Sequence, residues 1–132
     1  MLFTKCILAP IEPGDGVRIS IMSRHTQPDG ITPDTRISPN QYDAHWPELA
    51  PPPRLIGDYY KRGISWEEFA SRYELYLAIQ AEARQRTTEL IQLAQRQAVT
   101  VLCIEELPDR CHRRLLAEMC RKRNQQLTIR VA

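Results

Sequence analysis

The chain has no apolar run that approaches membrane-spanning length, and the apolar stretch within Met1 to Pro10 is too short for the hydrophobic region of a signal peptide. A soluble, cytoplasmic protein with no membrane partner is expected. A strong charge bias is also missing, since 18 Lys and Arg face 16 Asp and Glu for a net charge of +2. That is too mild to mark a nucleic-acid footprint, so any basic patch must be local. There is no internal repeat, and the four cysteines show none of the short paired spacing that marks zinc motifs. In a leaderless protein with Cys6 and Cys103 inside apolar strand patterns, free thiols are expected rather than disulfides.

What is present is enough for one core. A chain of 132 residues with 42% hydrophobic content fits a single domain without staples. Thr4 to Leu8 and Val17 to Met22 read as strands lying side by side, joined by the turn-rich Pro10 to Gly16. Arg24 to Pro53 then shifts to Pro, Asp, Thr, Asn and Gln without periodicity. This long Pro-rich loop, 24–53, is expected to act as a lid, anchored by Ile31, Ile37, Tyr42, Trp46 and Leu49.

Arg54 to Arg62 reads as a short helix stopped by Gly63, and Ser65-Trp-Glu-Glu68 restarts the chain with Ser as N-cap and Glu three residues on. Trp66, Phe69, Ala70, Tyr73 and Leu77 mark one apolar helical face, and Ala83, Thr87, Leu90, Ile91, Ala94 and Ala98 mark the next. The β-branched run Val99 to Ile104 predicts a buried strand, Arg110 to Arg123 a last helix, and Leu127 to Val131 a closing strand. The fold expected over residues 1–132 is therefore a three-layer α/β domain, with a small, mostly parallel sheet flanked by helices.

Chemistry concentrates at one strand-to-helix turn. Between Cys103 and Arg114 the chain places two thiols, an imidazole, carboxylates and guanidiniums, with Cys111, His112 and Arg113 in the first turn of the last helix. A helix start exposes unpaired N–H groups and positive dipole, which stabilise anions and thiolates. Cys111, His112 and Glu105 are therefore the candidate catalytic residues. Arg24, Cys103, Arg113 and Arg114 are the candidate ligand-binding residues, with Arg24 ending the second strand on the rim where parallel strands gather their C-termini. The anion expected is phosphate, carboxylate or a nucleotide-like molecule, held by main-chain N–H groups of residues 110–113 and neutralised by Arg24 and Arg113.

Each residue also has a plainer use. Cys103 can be a small buried hydrophobe, His112 a core histidine bonded to main chain, and Glu105 and Glu106 surface partners of Arg110, Arg113 or Arg114. Cys103, Cys111 and His112, with Cys6, have the right donors for zinc. Yet successive helical residues point about 100° apart, so Cys111 and His112 should not share one ion, and no metal site is assigned. No cofactor is named by these residues. A non-catalytic module binding nucleic acid or protein, with structural cysteines, stays open beside an enzyme.

Several pieces together resemble a known family. Ile19-Ser-Ile-Met-Ser-Arg24, Leu49-Ala-Pro51, Asp58-Tyr-Tyr-Lys-Arg-Gly63, Ser65-Trp-Glu-Glu-Phe-Ala-Ser-Arg-Tyr73, Val101-Leu-Cys-Ile-Glu105 and Cys111-His-Arg-Arg-Leu115 are similar to the YeaO-like proteins of domain-of-unknown-function family 488, in the branch with Cys-His-Arg at the last helix. The resemblance implies an α/β sandwich and a site around Arg24, Cys103, Glu105, Cys111, His112 and Arg113. It implies no activity.

Overall fold

The computed structural model describes residues 1–132 and carries five strands in one sheet: β1 (Leu2–Cys6), β2 (Val17–Ser20), β3 (Ala44–His45), β4 (Val99–Cys103) and β5 (Ile129–Val131). Four helices accompany them: α1 (Pro53–Tyr60), α2 (Trp66–Ile79), α3 (Ala81–Arg96) and α4 (His112–Arg123). The strand order is β3-β2-β4-β1-β5, and every pair is parallel. The α/β domain with a small parallel sheet is thus the observed fold.

The strand whose residues are all apolar or β-branched takes the centre. β4, Val-Thr-Val-Leu-Cys, is buried along its whole length, as expected of a parallel strand covered on both faces. Its position corrects one expectation: β1 and β2 do not sit side by side, because β4 lies between them, with Val101 paired to Thr4 on one side and to Ile19 on the other. Gly16 makes the approach to β4 possible. Its φ of +64° is open to glycine, and a Cβ there would stand 1.9 Å from the Ala98 carbonyl oxygen.

Alternation along the strands gives the sheet two different faces. Leu2, Ile19, Val99 and Val101 join Phe69, Tyr73, Leu77, Leu90 and Leu116 of the helices in one cluster of 19 buried residues. On the other face lie Lys5, Arg18, Thr100 and Leu102. Here irregular chain supplies the covering layer: buried Asp15 pairs with Lys5 and Arg18 at 2.6 Å each, and its carbonyl accepts from Thr100 Oγ1. Arg18 Nε also donates to the Gln41 carbonyl.

The span 24–53 is more structured than its composition suggests. It holds β3 and two 3-10 turns, Pro39–Gln41 and Pro47–Leu49. A two-residue strand among prolines shows no alternation to detect. Ile31 is 82% exposed and anchors nothing, because Asp29 caps the turn beneath it by accepting from the Ile31 and Thr32 amides. Leu49 is fully buried, Trp46 packs on the main core, and Ile37 and Tyr42 pack on a second cluster around Ile7, Met22, Leu102, Cys103 and Cys111. Ser65 caps α2 by accepting from the Glu68 amide at 3.0 Å, and Gly63 takes φ +74° after the preceding helix. No helix is long and apolar enough to cross a membrane.

Candidate functional site

The end of β4 and the start of α4 bring the two cysteines of this turn together. Cys103 is the last residue of the central strand, and the chain leaves the sheet through residues 104–110 before Cys111 caps α4. Cys111 is extended, with φ −132° and ψ 140°, and so stands outside the helix rather than in its first turn. The two sulfurs are joined as a disulfide, which corrects the expectation of four free thiols; the Cα atoms are 7.8 Å apart, and both residues are 1% exposed. Cys6 and Cys120 remain separate thiols. The sequence places Cys103 and Cys111 on one turn but not their bond, which depends on where the loop 104–110 returns. Burial pushes the Cys120 thiol up to about 12, which leaves it inert.

His112, the first helical residue, bonds through Nε2 to the Ile21 carbonyl at 2.8 Å. A carbonyl only accepts, so Nε2 carries the hydrogen and Nδ1 keeps the lone pair. Burial pushes its pKa down to about 4, so the ring is neutral at pH 7. It stands edge-on to Tyr73, with ring centroids 5.7 Å apart. The donor atoms of Cys103, Cys111 and His112 all lie within 4.8 Å of one another. The 100° separation that should keep Cys111 and His112 apart does not apply, because Cys111 is not helical.

Arg113 corrects the expectation of a guanidinium facing a bound anion. It is fully buried, and four of its five N–H groups are engaged: Nε with the Ala132 oxygen, Nη1 with the Cys103 sulfur at 3.2 Å and the Glu105 carbonyl at 2.6 Å, Nη2 with the Glu106 carbonyl. Its charge serves the inside of the turn. Burial lowers its pKa from the ordinary arginine value. Arg114 also turns away, pairing with Glu118 at 2.9 Å and lying 6.0 Å over the Trp66 ring.

The remaining candidates do converge. A cleft of about 120 Å³ opens between the end of β2, α1, the start of α2 and the β4–α4 turn, and Arg24, Cys103, Glu105, Cys111 and His112 line it. Arg110 also lines it; the sequence reading considers its amide as an anion donor and its charge as a neighbour of Cys111 or a partner for Glu105 or Glu106, but not as an anion-binding side chain. Tyr60 enters the sequence analysis only within the helix 54–62 and the motif Asp58 to Gly63. Its hydroxyl donates to Glu105 Oε1 at 2.8 Å, and burial of that group together with the carboxylate raises its pKa. Trp66 and Phe69 form the apolar wall. The apolar helical face that carries both Trp66 and Phe69 is legible in the sequence; the cleft between α1 and β4 needs the tertiary structure. His25, next to Arg24, is drawn elsewhere: it bonds Ser20 Oγ at 2.7 Å and packs on His45, which in turn bonds the Met22 carbonyl.

This arrangement has a recognised setting. The chain belongs to the DUF488-N3a family, the active DUF488-N3 subclade, whose family model matches residues 2–124. That agrees with the resemblance read from the sequence. No curated protein and no solved structure matches the chain.

Proposed function

We propose that the cleft binds a small anion, a phosphate or carboxylate group, and, once the Cys103–Cys111 bond is reduced, presents it to Cys111. One observation carries the reading: Arg24 and Arg110 share a cleft with Cys111 and His112 at the start of α4. Of its charged side chains, two guanidiniums stand against the single carboxylate of Glu105, and the dipole of a 12-residue helix adds positive potential at the same end. Arg113 and Arg114, engaged elsewhere, contribute nothing direct.

Proton transfer in this cleft falls to Glu105 rather than His112. The His112 ring is neutral at pH 7 and committed through Nε2 to the Ile21 carbonyl, whereas the Glu105 carboxylate faces the cleft and accepts from Tyr60. His112 then serves to hold the turn against Ile21. The experiment is a phosphate titration followed by thermal unfolding. At a concentration about 100 times Kd the unaltered chain should gain about 2.7 kcal/mol, and Arg24→Ala or Arg110→Ala should remove most of that gain. Equal stabilisation of all three chains would discard the reading.

A further inference from the structure

We propose that Cys103, Cys111 and His112 form a binding site for a thiophilic divalent cation of the zinc class, open on its fourth side to the cleft. Two thiolates and one imidazole are the donors such an ion prefers, and three protein ligands with a free position are the arrangement of catalytic rather than structural zinc. All three donor atoms already lie within 4.8 Å of one another. The Cα atoms of the two cysteines are 7.8 Å apart, beyond the roughly 4.4–6.8 Å that a disulfide normally spans, so the backbone suits sulfurs joined through a third atom better than sulfurs joined directly.

Two neighbours support the donors. Metal-bound histidines typically donate their other ring N–H to a carbonyl or carboxylate, and His112 gives Nε2–H to the Ile21 carbonyl, which leaves Nδ1 for the ion. Arg113, fully buried and without a side-chain carboxylate partner, donates to the Cys103 sulfur at 3.2 Å. That contact favours the thiolate, which is the form that binds metal. The fourth position faces the cleft with Arg24, Arg110 and Glu105. Two thiolates cancel the charge of the cation, Arg113 leaves the centre positive, and an anion or water in the cleft completes the tetrahedron. This last point rests on the anion-binding reading; the three protein ligands do not.

The test titrates reduced, metal-stripped protein with Zn²⁺ against a chromophoric chelator and, separately, with Co²⁺ under absorption spectroscopy. One ion per chain and a thiolate-to-cobalt charge-transfer band are expected. Zn²⁺ should protect Cys103 and Cys111 from alkylation while Cys6 still reacts, and Cys103→Ser should weaken Zn²⁺ binding at least tenfold. If Cys103→Ser fails to fold, the cobalt spectrum and the alkylation map of the unaltered chain decide alone. A cobalt complex without thiolate charge transfer, zinc uptake that leaves both cysteines open to alkylation, or a Cys103–Cys111 disulfide that persists under reductant and takes up no metal would overturn the proposal. Arg24→Ala separates the two readings: it should lose the phosphate response and keep the Zn²⁺ affinity.

Discussion

Arg113 concentrates more of this turn's geometry in one side chain than any other residue. It ties the Cys103 sulfur, the Glu105 and Glu106 carbonyls and the Ala132 oxygen to one buried guanidinium. Removing it leaves several buried acceptors unpaired at once, each costing about 1–3 kcal/mol. Arg113→Ala is therefore expected to lower stability by about 3 kcal/mol or more, with Arg113→Lys recovering only part, since an ammonium cannot reproduce the planar fork. Denaturant unfolding of the two variants measures this, and a loss below about 1 kcal/mol for the alanine would contradict the role given to it.

Asp15 supplies a second test at the same scale. Burial alone would raise its pKa, but the Lys5 ammonium, the Glu12 amide and the Arg18 guanidinium together hold it below the usual carboxylate value. A group depressed in the folded state stabilises fully above its unfolded pKa, near 3.9, and loses that contribution as pH falls through the folded value. Stability should drop with acid below about pH 4, and Asp15→Asn should flatten that slope while lowering stability at neutral pH. Unfolding curves between pH 7 and pH 2 would show it.

At the scale of elements, local signals and tertiary ones part company. Ser65, Gly63 and the spacing from Trp66 to Leu77 act within a few residues, so the start of α2 is readable from the chain, and Ser65→Ala should cost about 1 kcal/mol through the lost cap. The span 24–53 behaves otherwise. Its prolines hide β3, and what orders it lies far away: Tyr73 Oη donates to the Leu49 carbonyl, and Tyr76 Oη to that of Glu48. Limited proteolysis should cut first near residues 27–31, where the chain is exposed, and spare 42–50, where it is tied to β2 and α2. Early cleavage near Trp46 would mean that β3 is not held as described.

The site was legible in the same divided way. Cys103, Glu105, Cys111 and His112 are close in sequence and sit on one strand-to-helix turn, a place that physical chemistry marks in advance. Arg24 follows from the rim rule for parallel strands. Tyr60 and Arg110 do not follow, because their place in the cleft depends on how α1 docks and how residues 104–110 fold back. The burial of Arg113 does not follow either: a guanidinium at a helix start points to an anion until the loop of residues 104–110 closes over it.

For the molecule as a whole, Gly16 is the position where strand connection and sheet order meet. Any side chain there would collide with the Ala98 main chain just before β4 and would also occupy an unfavourable φ. Gly16→Ala should cost about 3 kcal/mol or more and lower the melting temperature sharply, which calorimetry would detect. A near-neutral substitution would mean that the β1–β2 connection has freedom to move away from β4.

The sheet order carries a consequence in time. β1 and β2 precede β4 in the chain by more than 75 residues, so the strand that joins them is made only after α1, α2 and α3, and until then β2 has only the two-residue β3 as a partner. Their pairing closes very long loops, which slows folding and leaves the apolar residues Leu2, Ile7, Ile19 and Ile21 exposed on the nascent chain. Assembly of the sheet therefore waits on a single five-residue strand late in the chain.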